Sequence, residues 1–314
     1  MNPFATIYGQ TVRARNALYD RGTLRTRRLE GAVISVGNLS VGGSGKTPFV
    51  MLLGELLKSQ GIKFDVLSRG YGRTSRGVRL VDPAGLPQDF GDEPLLLARR
   101  LQVPVIVGED RFEAGRLAEA KFGAQLHILD DGFQHRRLAR DFDIVLVTPQ
   151  DANDRLLPTG RLREPLASLR RADAVVLTSG APPEAFPLDG TRTWRVRRGI
   201  APQDVPFRPV VFCGIARPQN FVLQLRAANI DPVAEAFYRD HHLYTEKDVR
   251  DLLRLKQQSK AGGFVTTEKD AINLGGYLSA LQPLAVVQVT MVLVDAANAV
   301  DTMLHTIEER KRRA

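Results

Sequence analysis

The sequence contains one cysteine, Cys213, in 314 residues. A single thiol can form neither an intramolecular disulfide nor a cysteine-based zinc cluster, so the composition excludes both. This cysteine usage agrees with a reducing cytoplasm. We expect Cys213 itself to be a small buried side chain on a strand.

Long hydrophobic runs are also missing. No apolar stretch approaches the roughly 18 residues that a membrane-spanning helix needs, and the N-terminus lacks the uninterrupted apolar core of a secretory signal. Internal repeats and low-complexity tracts are absent as well. We therefore expect a chain that neither crosses a membrane nor is exported by that route.

Acidic residues are in the minority, with 35 Asp and Glu against 44 Lys and Arg, which gives a net charge of +9. A basic protein is attracted to anionic partners such as phosphates, anionic lipids or nucleic acids. The sequence has no RNA-binding signature, no zinc-finger spacing and no basic region before heptads, so we expect no nucleic-acid partner. Its length and its 43% hydrophobic content are sufficient for a soluble enzyme with two domains.

A glycine-rich loop is the most informative segment that is present. It follows a β-branched strand, ends in Gly45-Lys46-Thr47 and precedes an amphipathic helix. In such a loop the backbone amides and the helix N-terminus bind phosphate oxygens, Lys46 reaches the β- and γ-phosphates, and the Thr47 hydroxyl ligates Mg²⁺. Ser40 replaces the first glycine of the strict pattern, so the loop is a variant. The residues expected to bind the nucleotide here are Gly42, Gly43, Ser44, Gly45, Lys46 and Thr47.

Short apolar runs that alternate with helical patterns predict an α/β fold, a P-loop NTPase-type mainly parallel sheet flanked by helices. Strands are expected at 32–36, 64–67, 103–107, 126–129, 144–147, 174–178, 194–196, 209–213, 231–237 and 264–266, and helices at 48–59, 93–101 and 111–122 and from residues 218, 246 and 300. The segment 180–190 is rich in proline and glycine and indicates a boundary. We therefore expect an N-terminal helix in 1–28, a core domain in 29–200 and a smaller α/β domain in 201–314, whose last helix could return to the core.

The N-terminal segment combines an apolar stripe with a run of arginines. Phe4, Ile7, Tyr8 and Val12 recur at helical spacing, and arginines follow up to residue 28. A helix of this kind can lie in the headgroup region of a membrane, with its apolar face inserted and its arginines on anionic lipid. A first helix that packs its stripe on the core and leaves its arginines in solvent explains the pattern equally well.

A pair of carboxylates ends one predicted strand. Asp130 and Asp131 stand where a phosphate-loop protein places an acid near Mg²⁺, so one of them is the expected metal partner of Thr47. A simple Asp-Gly turn is the alternative. Asp92 opens a predicted helix that has Pro94 in its first turn. It fits a helix N-cap, and it also fits a base that accepts the proton of an incoming hydroxyl.

Two further stretches place polar groups on loops. The segment 68–73 offers two guanidiniums and a phenol, which suit a phosphate or a polar head group, although an exposed basic turn would look the same. Asp240, His241 and His242 form an unusual cluster in a chain with five histidines. No third ligand at a suitable spacing points to zinc, so the cluster is interpreted as a proton-handling histidine or as an ordinary surface loop.

Together these motifs resemble those of the tetraacyldisaccharide 4'-kinase family, the lipid A kinases of Gram-negative bacteria. They occur in the same order as in the family and reach from the first strand to residue 270. The family's loop shows the same departure from the strict pattern as Ser40 does here. The motifs lie at 37–48, 68–73, 91–94, 130–135, 160–165, 240–242 and 266–270.

This resemblance implies an ATP-dependent kinase that, with Mg²⁺, phosphorylates the 4'-hydroxyl of a tetraacylated glucosamine disaccharide 1-phosphate. It implies a peripheral protein at the cytoplasmic face of the inner membrane, and we expect a monomer. A substrate with four acyl chains leaves a bilayer only at high cost, so the interfacial interpretation of the N-terminal helix is favoured.

The resemblance also implies roles for individual residues. Asp92 is the expected base and His241 its partner, with His242 as the alternative, so the two halves of the chain would have to close on each other. Tyr71 and Gln134 are expected near the nucleotide or the substrate. The expected catalytic residues are Asp92, His241 and Lys46, and the expected metal ligands are Thr47, Asp130, Asp131 and Glu164.

Two other functions compete with the kinase. A partitioning or metal-delivery ATPase with a deviant phosphate loop resembles 42–47, but such loops carry a lysine at the position of Val41. A membrane-surface binding module would use ATP only to change shape. ATP turnover that depends on an acylated disaccharide distinguishes the kinase from both. No role follows for the segment 267–270.

Overall fold

The computed structural model describes residues 3–178 and 180–313, so the ends of the predicted segments 1–28 and 201–314 lie outside the described residues. Its strands are β1 (Ala32–Asn38), β2 (Asp65–Ser68), β3 (Arg79–Leu80), β4 (Val105–Val107), β5 (Leu126–Asp130), β6 (Phe142–Val147), β7 (Ala174–Leu177), β8 (Arg192–Ala201), β9 (Val210–Cys213), β10 (Ala234–Phe237), β11 (Phe264–Thr267) and β12 (Leu284–Leu293). Its α-helices are α1 (Pro3–Asp20), α2 (Lys46–Ser59), α3 (Pro87–Phe90), α4 (Asp92–Leu101), α5 (Arg111–Phe122), α6 (Pro218–Ala227), α7 (Glu246–Ser259), α8 (Glu268–Leu274) and α9 (Ala296–Arg313). Short 3₁₀ helices lie at Pro149–Asn153, Leu166–Arg171, Pro183–Ala185 and Gly275–Ala280.

The strands follow one another in the order β10-β9-β11-β12-β8-β7-β6-β1-β5-β2-β4-β3. From β8 to β4 each strand is parallel to its neighbours, and β3 adds an antiparallel edge. Strand β12 pairs antiparallel with β8, and β12, β11, β9 and β10 are again mutually parallel. The prediction of an α/β fold with a mainly parallel sheet flanked by helices is confirmed.

The central strands are buried along their whole length. Every residue of β1, β5 and β6 is buried, because side chains of both faces pack under helices. On one face Ile34 and Ile144 join the core that includes Leu53 of α2 and Leu97 of α4. On the other face Val33 packs in a cluster that includes residues of α5. These runs are apolar on both faces, which is why the sequence predicts strands there.

The polar ends of three neighbouring strands meet at one edge of the sheet. Strands β1, β5 and β2 are adjacent, and their last residues are Asn38, Asp130 and Ser68. The glycine-rich loop leaves the same edge after β1. In open α/β sheets ligands bind outside the carboxyl ends of the strands, so a ligand site is expected at this edge.

The residues 201–293, called here the C-terminal segment, have apolar clusters of their own. Phe212, Tyr244 and Phe264 pack in one of them. After this segment α9 returns to the core, where Arg310 donates to the carbonyl oxygen of Asp141 at 2.7 Å. The separate clusters support the predicted division into two domains, which stays a prediction.

Strand β12 and helix α8 are not among the predicted elements. The first half of β12 lies inside the parallel sheet and its second half forms a ribbon with β8, so its burial changes from one pattern to another along the strand. Helix α8 has only seven residues, too few for a helical period to be recognised.

Candidate active site

The glycine-rich loop joins β1 to α2. Gly42, Gly43 and Gly45 have φ angles of 77°, 52° and 87°, in the left-handed region that glycine adopts without strain. Gly45 is the N-cap of α2, and no side chain caps that end. The loop and the first turn of α2 therefore present backbone amides and the positive end of a helix to an anion.

Two cations lie beside the loop, around Asp131. Lys46 Nζ donates to Asn38 Oδ1 at 2.9 Å and lies 3.5 Å from Asp131 Oδ1. The two terminal nitrogens of Arg163 bind the Asp131 carboxylate at 2.9 and 2.8 Å. Burial by itself would raise the pKa of Asp131, but Lys46 and Arg163 hold that pKa well below its usual value. Asp131 is therefore ionised and orients both cations.

Asp130 has the opposite environment. Its Oδ2 accepts a hydrogen bond from the Ser68 hydroxyl at 3.0 Å, whereas Oδ1 is buried with no hydrogen-bond partner among the described residues. Burial, together with the negative charges of Glu93 and Asp131, raises the pKa of Asp130. This carboxylate lacks a positive partner, and a bound cation would supply one.

These groups fit a magnesium ion. In phosphoryl-transfer sites Mg²⁺ takes one or two carboxylates together with substrate phosphates and water. Asp130 Oδ1 and the hydroxyl of Thr47, a residue only 6% exposed in the first turn of α2, are suitable oxygens. In 3–178 and 180–313 no group of three or more His, Cys, Asp or Glu could hold a metal by itself. The expectation of a metal site thus rests on Asp130 and Thr47, because Asp131 is paired with Arg163.

Asp92 and His241 meet although 149 positions separate them in the sequence. Asp92 is 5% exposed at the start of α4, and His241 follows β10 in a left-handed turn with φ 58°. His241 Nδ1 lies 2.8 Å from Asp92 Oδ2 and 3.0 Å from Oδ1. His242 instead stacks on Tyr238, with 4.6 Å between ring centroids, and its Nε2 lies 3.1 Å from Asp248. The structure therefore brings His241, and not His242, to Asp92.

The surroundings of this pair favour an ionised aspartate and a basic imidazole. Burial by itself would raise the pKa of Asp92, but the hydrogen bond from His241 and the charge of Lys269 lower it to about 2. The hydrogen bond with Asp92 raises the pKa of His241. Because Asp92 holds Nδ1, Nε2 is the nitrogen of His241 that can accept a proton. The geometry thus favours the assignment opposite to the expected one, with His241 as the base and Asp92 as its orienting partner.

The simple capping interpretation of Asp92 needs a correction. The N-cap of α4 is Gly91, and Asp92 is the first helical residue. Gly91 has a φ of 89°, and a Cβ there would lie 2.9 Å from the carbonyl oxygen of Tyr71, so only glycine fits. The Asp92 carboxylate accepts from the amide of Glu93 at 2.8 Å and from Asn273 Nδ2 at 3.2 Å. It is therefore held in place from several sides.

Helix α8 gives the segment 267–270 a position in the site. Lys269 Nζ lies 2.9 Å from Glu93 Oε1 and 3.9 Å from Asp92 Oδ2. Burial by itself would lower the pKa of Lys269, but Glu93 and Asp92 raise it, so its ammonium stays charged. Lys269 and Asn273 thus join the C-terminal segment to the start of α4 and position Asp92.

The loop and the pair face one cleft with a volume of about 750 Å³. Tyr71 lies at its mouth, 67% exposed, with its ring centroid 5.4 Å from that of His241. The predicted site residues that line the cleft are Gly42, Gly43, Ser44, Gly45, Lys46, Thr47, Tyr71, Asp92, Asp130, Asp131 and His241.

Gln134 and Glu164 do not line this cleft. Gln134 Nε2 donates to the carbonyl oxygen of Asn38 at 3.0 Å, so it supports the end of β1 rather than a ligand. Glu164 is fully buried and accepts from Asn16 Nδ2 at 2.7 Å and from Arg171 at 2.8 Å. Because Asn16 is on α1, Glu164 anchors that helix to the body of the protein. We do not retain it as a metal ligand.

Asn38, Arg163 and Lys269 are among the site residues that were not predicted. Asn38 follows the strand signal of β1, Arg163 lies in the motif 160–165, and Lys269 lies in 267–270. Their motifs were recognised, but nothing local indicates which of several polar residues points into the cleft. Only the contacts identify them.

Comparison with solved structures defines the class of protein. The chain is similar to LpxK from Aquifex aeolicus, solved in complex with ATP, with a TM-score of 0.79 and 36% identity, covering 97% of each chain. Fold and loop together are those of a P-loop kinase.

Sequence comparisons then give the family. The family model described as tetraacyldisaccharide-1-P 4'-kinase matches residues 1–308. The tetraacyldisaccharide 4'-kinase of Koribacter versatilis is 51% identical over 321 residues, covering 99% of this chain and 100% of the relative. That of Aquifex aeolicus is 40% identical over 294 residues, covering 88% and 89%. The chain belongs to the tetraacyldisaccharide 4'-kinase family, which confirms the resemblance seen in its motifs and disfavours the partitioning or metal-delivery ATPase.

Proposed function

We propose that this protein transfers the γ-phosphoryl group of ATP to the 4'-hydroxyl of an acylated glucosamine disaccharide 1-phosphate. The relatives are named for this activity, and one observation on this structure supports its assignment to this protein. The His241–Asp92 pair and the phosphate loop face the same cleft, so a hydroxyl can stand between a proton acceptor and a bound triphosphate. All these groups come from one chain, and we infer that it acts as a monomer.

The reaction requires one proton acceptor and stabilisation of negative charge. The 4'-oxygen attacks the γ-phosphorus, its proton passes to His241 Nε2, and the bond to the β–γ bridging oxygen breaks with its electron pair left on ADP. Lys46 and the loop amides stabilise the charge on the transferring group. Asp130 and Thr47 would hold Mg²⁺, which when bound neutralises phosphate charge.

The C-terminal segment completes the site. It contributes His241 and Lys269, whereas the loop and Asp92 belong to the core. A cleft closed between these two parts excludes water, and this favours transfer to the sugar over hydrolysis of ATP.

The N-terminal helix is proposed to lie on the cytoplasmic face of the inner membrane. Phe4 and Ile7 are 69% and 60% exposed, while Val12 is buried and the Tyr8 hydroxyl donates to the carbonyl oxygen of Arg163 at 3.0 Å. One side of α1 thus packs on the core and the other presents apolar groups next to arginines, as an interfacial helix does. None of the described helices combines the length and apolar character needed to cross a bilayer.

Substitution of one exposed residue tests this surface. We expect Ile7→Asp to weaken binding to vesicles that contain anionic lipid by about tenfold or more, because an exposed apolar side chain that would insert into the membrane is replaced by a charge. Leu223→Asp on α6 is the matched control, since Ile7 and Leu223 are both 60% exposed. Vesicle sedimentation measures the binding, and circular dichroism confirms the fold. Equal losses in the two variants would contradict a specific role for α1.

The proposed activity is tested directly with γ-labelled ATP and a purified acylated disaccharide 1-phosphate in detergent. The product should carry one new phosphate, and mapping of the phosphoester should place it at the 4'-oxygen. Label released as inorganic phosphate, with no labelled lipid, would instead support an ATPase. Turnover that needs no disaccharide would have the same meaning.

A further inference from the structure

Arg217 of the C-terminal segment lies directly over the phosphate loop. It is the N-cap residue of α6. A Cβ built on Gly43 would stand 3.3 Å from its Nε and 3.4 Å from its Cδ, and one built on Gly42 would stand 3.5 Å from the Cβ of Ala216. The absence of a side chain at Gly43 thus leaves room for the arginine against the loop, whereas the distance at Gly42 is an ordinary van der Waals contact.

Within 3–178 and 180–313 the guanidinium of Arg217 forms no ion pair with a carboxylate. Nη1 donates to a neutral group, Gln150 Oε1, at 3.0 Å, and Nη2 is buried without a hydrogen-bond partner in the described part of the chain. The neighbouring Arg161 is paired with Asp154 at 2.9 Å. Burial and the like charge of Arg161 lower the pKa of Arg217, and the carboxylates of Asp151 and Asp154, which form no ion pair with it, act in the opposite direction. A guanidinium stays protonated in proteins. A buried donor on an unpaired cation requires an acceptor, and the free energy is most favourable when that acceptor is an anion.

The position of the arginine identifies the anion. Amides of a phosphate loop hold the β- and γ-phosphates, so a group placed over Gly43 stands next to those phosphates. Lys46 lies on the core side of the same region, where Asn38 and Asp131 hold its ammonium group. Arg217 approaches it from the opposite side of the cleft, which it also lines.

We propose that Arg217 is a catalytic arginine, which donates Nη2 to the β–γ phosphate region of the bound nucleotide and stabilises the charge that develops during phosphoryl transfer. This proposal rests on the proposed function for the identity of the phosphate acceptor. The contact between Arg217 and the nucleotide does not depend on which acceptor is used. Arg217 keeps its protons throughout. The hydroxyl proton still passes to His241, and the electron pair of the broken bond still leaves with ADP. Since Arg217 and His241 both belong to the C-terminal segment, one approach of that segment delivers the base and the charge stabiliser together.

The test uses the full chain with Arg217→Ala and Arg217→Lys. An arginine in this role contributes roughly 10³ to 10⁵ in kcat, so we expect Arg217→Ala to lower kcat for the lipid at least about 10³-fold. Lysine should restore only part of the rate, because it lacks the planar fork of donors. Calorimetry supplies a readout independent of turnover. Arg217→Ala should keep its affinity for ADP but lose the tighter binding of ADP with aluminium fluoride, which mimics the transferring phosphoryl group.

Two controls separate catalysis from mere attachment of the C-terminal segment. Gln150→Ala removes the contact that joins Arg217 to the 3₁₀ helix Pro149–Asn153 and leaves the guanidinium, and Arg226→Ala removes a paired, half-exposed arginine from α6. Both should have kcat values close to that of the unsubstituted protein. If the kcat of Gln150→Ala falls as far as that of Arg217→Ala, Arg217 acts only by attaching the C-terminal segment to the core, and the proposal is wrong. Unchanged kcat and unchanged fluoride-complex affinity in Arg217→Ala would also overturn it.

Failure of the proposed function gives a different result. If the protein never labels the disaccharide, yet binds the ADP–aluminium fluoride complex in an Arg217-dependent way, the role of Arg217 is supported and the proposed acceptor is wrong. If the Arg217→Ala variant labels the lipid at the normal rate, the proposed function is supported and the role of Arg217 is wrong.

Discussion

Lys46→Met is expected to lower kcat for phosphoryl transfer by about 10² to 10³-fold, the usual effect of removing one preorganised group that stabilises transition-state charge. The Lys46 side chain is only 17% exposed and lines the cleft. Methionine has a similar length and keeps the apolar contacts of the stem, so the change removes the charge with little loss of packing. Initial rates with labelled ATP measure the effect.

Lys58→Met is the matched control for this substitution. Lys58 is on the same helix, α2, and its Nζ donates to the carbonyl oxygen of Leu101 at 3.0 Å, away from the cleft. We expect this variant to retain the normal kcat, with at most a small loss in melting temperature. Equal rate losses in both variants would mean that net charge matters rather than the position of Lys46, and a normal rate in Lys46→Met would remove the loop from the mechanism.

The part of the site that could be predicted is the part built from local sequence. Strand, glycine loop and helix follow one another within residues 32–59, so backbone geometry alone brings Lys46 and Thr47 to the carboxyl edge of the sheet. Asp130 was predicted for the same reason, because it is the last residue of a strand next to β1. Local signals of this kind need no knowledge of distant contacts.

The contacts between the core and the C-terminal segment could not be predicted in this way. Nothing local separates His241 from His242, since the choice depends on the left-handed turn at His241 that directs the two rings to different neighbours. Glu164 depends on distant contacts as well. The resemblance implies a place near the metal, whereas in the structure its carboxylate pairs with Arg171 and accepts from Asn16 of α1.

The two carboxylates beside the loop show why residue type alone was insufficient. Asp130 and Asp131 are adjacent and looked equivalent, yet Arg163 and Lys46 pair with one of them and leave the other with a bare oxygen. Sequence spacing predicts that an acid is present at the strand end. Which acid carries the unpaired oxygen depends on side chains more than 30 residues away.

His241→Gln is expected to lower kcat by about 10² to 10⁴-fold, the range of a general base, while ATP still binds. His242→Gln is its control. That ring stacks on Tyr238 and contacts Asp248, so its loss should lower the melting temperature and leave kcat nearly unchanged.

The pH profile assigns the base. A histidine acts as a base only when neutral, so kcat/KM should be low below the pKa of His241 and rise through it. The hydrogen bond with Asp92 raises that pKa, so the rising limb should lie above the ordinary imidazole value of about 6.5. Asp92→Asn removes the charge that stabilises the imidazolium and should move the limb to lower pH, as well as reduce kcat. If the limb instead disappears in Asp92→Asn and persists in His241→Gln, Asp92 is the base and the roles assigned to the pair must be exchanged.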